Sequence, residues 1–164
     1  MMMVIASGIT AEVLTPHAGG SVMPRGVRRT GLLDCLIVSG NASRRSRFAA
    51  AAELAGWSDC SAPESTRDLQ QAVDGDYQLV IVDIASPLGE RVNDTVELAE
   101  EIAARPGTLL VICGSEDNVD EELWARQLGA WLYLPGVTDG DSLTSLCVEA
   151  RRLREGAAAF AGAR

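Results

Sequence analysis

From Leu32 onward, short apolar runs alternate five times with stretches whose apolar residues recur at helical spacing. LLDCLIV, residues 32–38, is the first predicted strand. Asn41 and Ser43 are candidate caps for a helix through Leu54 and Ala55, and Gly56 stands where a helix end commonly takes a left-handed residue. Residues 57–60 predict a short second strand. Leu69, Ala72 and Val73 then share one face of a helix over 64–74, closed by Asp74, Gly75 and Asp76. YQLVIVDI, residues 77–84, is apolar without alternation over most of its length, which predicts a central strand buried on both faces. Asn93 or Asp94 is expected to open a third helix to Ala104, with Val96, Ala99, Ile102 and Ala103 inward and Pro106-Gly107 closing it. TLLVIC, residues 108–113, predicts a second central strand. A fourth helix starting between Asp117 and Asp120 would turn Leu123, Trp124 and Leu128 inward and stop at Gly129. WLYL, residues 131–134, supplies a fifth strand. The last helix, about Asp141 to Arg154, would bury Leu143, Leu146, Cys147, Ala150 and Leu153.

Five strand–helix units joined by right-handed crossovers give an α/β fold: a doubly wound parallel sheet between two helical layers. The expected strand order is 2-1-3-4-5, the flavodoxin-like arrangement. Sites in such sheets lie outside the carboxyl ends of the strands where the order reverses. That rule gathers Ser39, Gly40 and Asn41 after the first strand, Asp83 after the third, and Gly114 and Ser115 after the fourth. Phe48 and Trp57 are assigned to packing.

Composition narrows the chemistry. The 164 residues suit one soluble domain with a real core. All 14 cations are arginines, so mechanisms that need a lysine ammonium, including Schiff-base chemistry and the P-loop, are excluded. The formal charge is −9. Setting aside Arg25, Arg28, Arg29 and Glu12 leaves 11 arginines against 22 carboxylates, a net of −11 over residues 31–164. Nucleic acid is therefore not an expected partner. The single histidine, His17, lies in a Gly/Pro/Ser-rich stretch, which argues against histidine triads and multi-histidine zinc sites. Cys35, Cys60, Cys113 and Cys147 form no CxxC and read as small apolar residues in a reducing compartment, with Cys113 the best placed to be reactive. No apolar run reaches the ~20 residues of a membrane helix and the start lacks a basic export-signal region, so the expected location is cytoplasmic, with no membrane partner. An enzyme is not expected, because the rim offers no acid/base pair, no histidine and no metal cluster.

The segment VIVDIASPLG, residues 80–89, resembles the phospho-acceptor region of response-regulator receiver domains, with Asp83 at the strand end, Pro87 four residues on and Gly89 close behind. LIVSGNASRR is similar to that family's first strand and loop, Ala-Gly-Trp at 55–57 to its first-helix end, and LGAWLYLP at 128–135 to its fourth-helix end and fifth strand. The resemblance divides the chain into a mobile arm (1–30), a receiver-like domain (31–155) and a C-terminal tail (156–164), with no room for an output domain after the last helix.

The resemblance also implies what is missing. Receivers carry two acidic residues after the first strand to hold Mg²⁺, where this chain has Ser39 and Gly40. The family's hydroxyl after the fourth strand matches Ser115, or Gly114 when counted back from Gly129. Its lysine before the last-strand proline is matched by Leu134, followed by Pro135 through a bond that receivers typically hold cis. The expectation is a pseudo-receiver whose pocket keeps the Asp83 carboxylate and has lost every positive partner. Such a module would signal by binding another protein or a second copy of itself, without phosphorylation and without a cofactor. Two alternatives stay open: a phosphorelay receiver using Asp83 with weakly bound Mg²⁺, and a flavodoxin-like domain that binds a small molecule. Trp124, Trp131, Tyr133, Glu121 and Glu122 are the candidate interface residues, on the side receivers use for partners.

Overall fold

The computed structural model describes residues 33–136 and 139–161, so the proposed arm over 1–30 and His17 lie outside the described residues. Five strands, β1 (Asp34–Val38), β2 (Asp59–Ser61), β3 (Leu79–Asp83), β4 (Leu109–Gly114) and β5 (Leu132–Pro135), form one parallel sheet in the order β2-β1-β3-β4-β5. Every pairing is parallel. The helices are α1 (Ala42–Leu54), α2 (Thr66–Ala72), α3 (Val92–Ala103), α4 (Val119–Leu128) and α5 (Gly140–Ala161). This is the predicted architecture and strand order.

Alternation along β1, β3 and β4 sends consecutive side chains to opposite faces, and both faces are covered. On one face Cys35, Ile37, Leu79, Ile81, Val111 and Cys113 pack with Phe48 and Ala52 of α1 and with Leu143, Cys147 and Ala150 of α5. Leu36, Val38, Val80, Val82 and Ile112 pack on the other face with Leu98, Ala99 and Ile102 of α3 and Ala125 of α4. Trp57 is buried and its indole N–H donates to the Cys147 carbonyl at 3.0 Å, which fastens the end of α1 to α5.

Local signals worked where a side chain caps a backbone. Asn41 accepts from the Arg44 N–H and starts α1, and Gly129 ends α4 at φ 91°. They failed elsewhere. α3 begins at Val92 after Arg91, which makes no side-chain cap bond, rather than after Asn93 or Asp94. Thr95 and Leu98 join its buried face, while Val96 is only half-buried.

Leu123 is 53% exposed, not inward. α4 is seated by Ala125 with Trp124 and Leu128, and Leu123 lies two positions before Ala125, about 200° round the helix. Leu153 is also exposed, and α5 does not stop near Arg154. The helix continues through the alanine-rich stretch expected to be a tail, where intrinsic propensity carries it without cover from the sheet. The Leu134–Pro135 bond is trans, since no cis peptide occurs among the described residues.

Candidate functional site at the carboxyl edge of the sheet

Asp83 ends β3, the strand paired on both sides, and its side chain has 0% exposure. The Ser39 hydroxyl, one residue past β1, donates to Asp83 Oδ2 at 2.7 Å. The Ser86 N–H donates to Oδ1 at 3.2 Å, so the carboxylate also closes the turn after its own strand. The third contact was not anticipated: Arg44 Nε lies 3.0 Å from Oδ2, with the arginine side chain 14% exposed. The expectation of a pocket without positive charge is therefore wrong. A guanidinium from the first turn of α1 occupies the neighbourhood of the carboxylate.

Arg44 reaches Asp83 because of how the loop is built. Ser39 Oγ accepts from the Asn41 N–H at 3.2 Å, Asn41 caps α1, and the cap fixes Arg44 as the third residue of the helix, beside the end of β3. Arg45 Nη1 donates to the Ser39 carbonyl at 2.8 Å and holds the strand end from the other side. The Asn41 cap was legible, and a cap at a known position places the side chain three residues later. Applied to Ser-Arg-Arg at 43–45, that step brings arginines to the first turn beside the rim, and the packing of α1 against the end of β3 decides that Arg44 turns to Asp83.

Burial disfavours the charged form of Asp83 and raises its pKa. The Ser39 hydroxyl, Arg44 and the Ser86 and Ala85 N–H groups oppose that rise without cancelling it. The donor set does not fit the Mg²⁺ ion that receivers carry. Mg²⁺ demands several oxygens in octahedral array, and here one carboxylate is already bonded at both oxygens and paired with a cation. No cluster of three metal-ligating side chains exists among the described residues. Gly40 adds a steric reason. Its N–H donates to the Ser86 carbonyl at 2.7 Å, and a Cβ there would collide with the Pro87 carbonyl oxygen and lie 3.3 Å from that of Ser86. A carboxylate at position 40 is incompatible with this loop.

The remaining residues form a second group. The Tyr133 hydroxyl donates to the Ser115 carbonyl at 3.0 Å and lies 3.2 Å from Glu121 Oε2, which accepts from the Ser115 N–H at 2.7 Å. The Ser115 hydroxyl faces Glu121 Oε1 at 3.5 Å. Burial, reinforced by the Glu121 carboxylate, pushes the Tyr133 phenol up to about 12. A Cβ at Gly114 would strike the Tyr133 hydroxyl, so glycine is what lets the ring cross the end of β4. Leu134 packs half-buried against the α1–α5 side of the core, and Pro135 is exposed. Trp131 packs on that same side and Trp124 on the opposite one, both only half-buried. Glu122 pairs with Arg126 at 2.6 Å. The exposed apolar side chains on this flank include Val119 and Leu132, which the sequence did not single out, and Leu123, which it turned inward.

Comparison of the whole fold with solved structures finds receiver domains of low sequence identity. A CheY-like receiver domain protein from Methanospirillum hungatei JF-1 superposes with TM-score 0.61 at 18% identity, over 76% of this chain and 98% of that one. An orphan response regulator of H. pylori gives 0.56 at 17%, over 74% and 95%. A signal receiver domain of a two-component histidine kinase from Clostridium thermocellum gives 0.59 at 18%, over 71% and 95%. The fold is that of a receiver domain. No protein-family profile and no curated protein matches the sequence. Within this receiver fold, the rim carries a serine, a glycine and an arginine-paired aspartate. No helix among the described residues is long and apolar enough to cross a membrane.

Proposed function

We propose that this chain is a receiver-type signalling module whose pocket is set by its own arginine rather than by phosphorylation, and that it acts by binding a protein partner. The observation that carries the reading is the Arg44–Asp83 pair: a carboxylate with 0% exposure, bonded at both oxygens and charge-matched from within. Phosphoryl transfer needs an accessible nucleophile and cations on the transferring oxygens. Asp83 offers no accessible oxygen in this arrangement, and the donor set beside it does not suit Mg²⁺. The receiver fold supports the signalling role, and a rim carboxylate engaged in internal bonds rather than aimed at open space supports a binding module over an enzyme. The partner surface is the α4–β5 flank. Val119 and Leu123 stand exposed one turn apart, Leu132 lies on the neighbouring strand, and Asp120, Glu121 and Glu122 supply an acidic border suited to a basic partner.

One observation favours phosphorylation as a second reading: Arg44 Nη2 is buried without an acceptor and would serve a phosphoryl oxygen if the loop opened. Incubation with acetyl phosphate and Mg²⁺, followed by intact-mass measurement, separates the two. The expected spectrum is unchanged. A Mg²⁺-dependent phosphoryl adduct that is absent from Asp83→Asn would replace the first reading with the second.

A further inference from the structure

Two cysteines meet across the outer pair of strands, away from the rim. Cys35 of β1 and Cys60 of β2 are register partners, so their side chains leave the sheet on the same face. All four cysteines are free thiols. Cys35 is fully buried, whereas Cys60 is half-buried on a three-residue edge strand.

We propose that Cys35 and Cys60 form a reversible oxidation site, in which a peroxide oxidises Cys60 and Cys35 resolves the product to a disulfide. Cys60 is the attacking group because it is the member of the pair that a solute can reach, half-buried on the edge strand while Cys35 is fully buried, and the carboxylates of Glu53, Asp59 and Asp34 lie around it. Those carboxylates also select the oxidant, since they repel anionic disulfides and leave a small neutral peroxide unhindered. The thiolate attacks one peroxide oxygen and the O–O bond breaks. That oxygen stays on Cys60 as a sulfenic acid, and the departing hydroxide takes a proton from solvent. The Cys35 sulfur then attacks the Cys60 sulfur, the S–O bond breaks, and hydroxide leaves with the Cys35 proton as water. Two thiols and one hydrogen peroxide thus become one disulfide and two waters.

Backbone geometry makes the bond formable but strained. Neighbouring strands lie ~4.8 Å apart, within the usual Cα range of disulfides, yet a disulfide draws its Cβ atoms to ~3.8 Å. β1 and β2 must close locally, which a three-residue edge strand can do. Strain of this kind raises the reduction potential, so thiols should reverse the bond readily.

The test uses the intact chain. Trypsin places the four cysteines on separate peptides, 30–44, 48–67, 92–126 and 127–151. After hydrogen peroxide is added and then removed with catalase, the intact chain should be lighter by two hydrogens, and digestion after the remaining thiols are blocked with a maleimide should yield peptide 30–44 linked to 48–67. Dithiothreitol should restore the starting mass. Cys60→Ser should abolish the link and Cys147→Ser should leave it intact. A link from Cys60 to Cys147 would overturn the proposal, as would sulfinic acid at Cys60 with Cys35 still free. Failure of the folded chain to react under peroxide that oxidises N-acetylcysteine would do the same.

Discussion

Asp83 is a carboxylate pulled two ways, and the balance sets how its charge bears on stability. Burial wins and its pKa lies above the ordinary value, so the folded state holds this proton to higher pH than the unfolded chain does. Between the ordinary carboxylate pKa near ~3.9 and the raised one, stability therefore falls as pH rises, and the penalty is complete above the raised value. Asp83→Asn has no such proton. The difference in urea midpoint between the protein and that variant should favour the protein progressively as pH is lowered through this window, and a flat difference would mean that the site is not desolvated. Arg44 limits the penalty at neutral pH. Arg44→Met leaves a buried charge with fewer partners and should cost about 2 kcal/mol. The loss should shrink when Asp83→Asn is added, because a double-mutant cycle isolates the pair. Additive losses would show that Arg44 merely packs there.

At the scale of elements, the loops decide what the strand ends can present. Gly40 is the instructive position, because the β1–α1 loop lies so close to the Ser86–Pro87 backbone that no side chain fits. Gly40→Asp, which restores one acidic residue in the receiver manner, should destabilise by about 1–3 kcal/mol and confer no Mg²⁺-dependent shift in melting temperature. A Mg²⁺-dependent rise would show that the loop can move aside. At the end of β4, Tyr133 is held by Ser115 and Glu121, and Glu121→Gln should bring the phenol down from about 12 towards its ordinary value, read by spectrophotometric titration. These loops also mark the limit of what the sequence discloses. Strand runs and the Asn41 and Gly129 caps are local signals, and they located the β-α order and the rim residues Ser39, Gly40, Asp83 and Ser115. Whether Arg44 turns inward, or whether Leu123 rather than Ala125 faces the sheet, depends on contacts from other elements that local spacing does not contain.

For the molecule as a whole, the question is whether the two helical layers are one cooperative unit. β1, β3 and β4 contribute side chains to both faces, so neither layer can lose its contacts without exposing the strands that hold the other. The sequence showed this where unbroken apolar runs predicted doubly buried strands, and it was silent on how far α5 extends, because alanine-rich helix continues without tertiary contacts. Ile81 faces the α1–α5 layer and Ile112 faces the α3–α4 layer, both essentially inaccessible. Truncating either to alanine should cost 2–5 kcal/mol by lost burial and cavity formation. Because the sheet is shared, each truncation should lower the unfolding midpoint seen from both sides. Single-tryptophan variants keeping either Trp57, on the first face, or Trp124, on the second, provide separate probes. The two should report coincident urea transitions in the parent, in Ile81→Ala and in Ile112→Ala, as a two-state domain requires. An earlier transition at Trp124 alone would instead make the α3–α4 layer a separately unfolding unit. Because α4 carries Val119 and Leu123 of the proposed partner surface, binding there would then be coupled to local unfolding rather than to a rigid face.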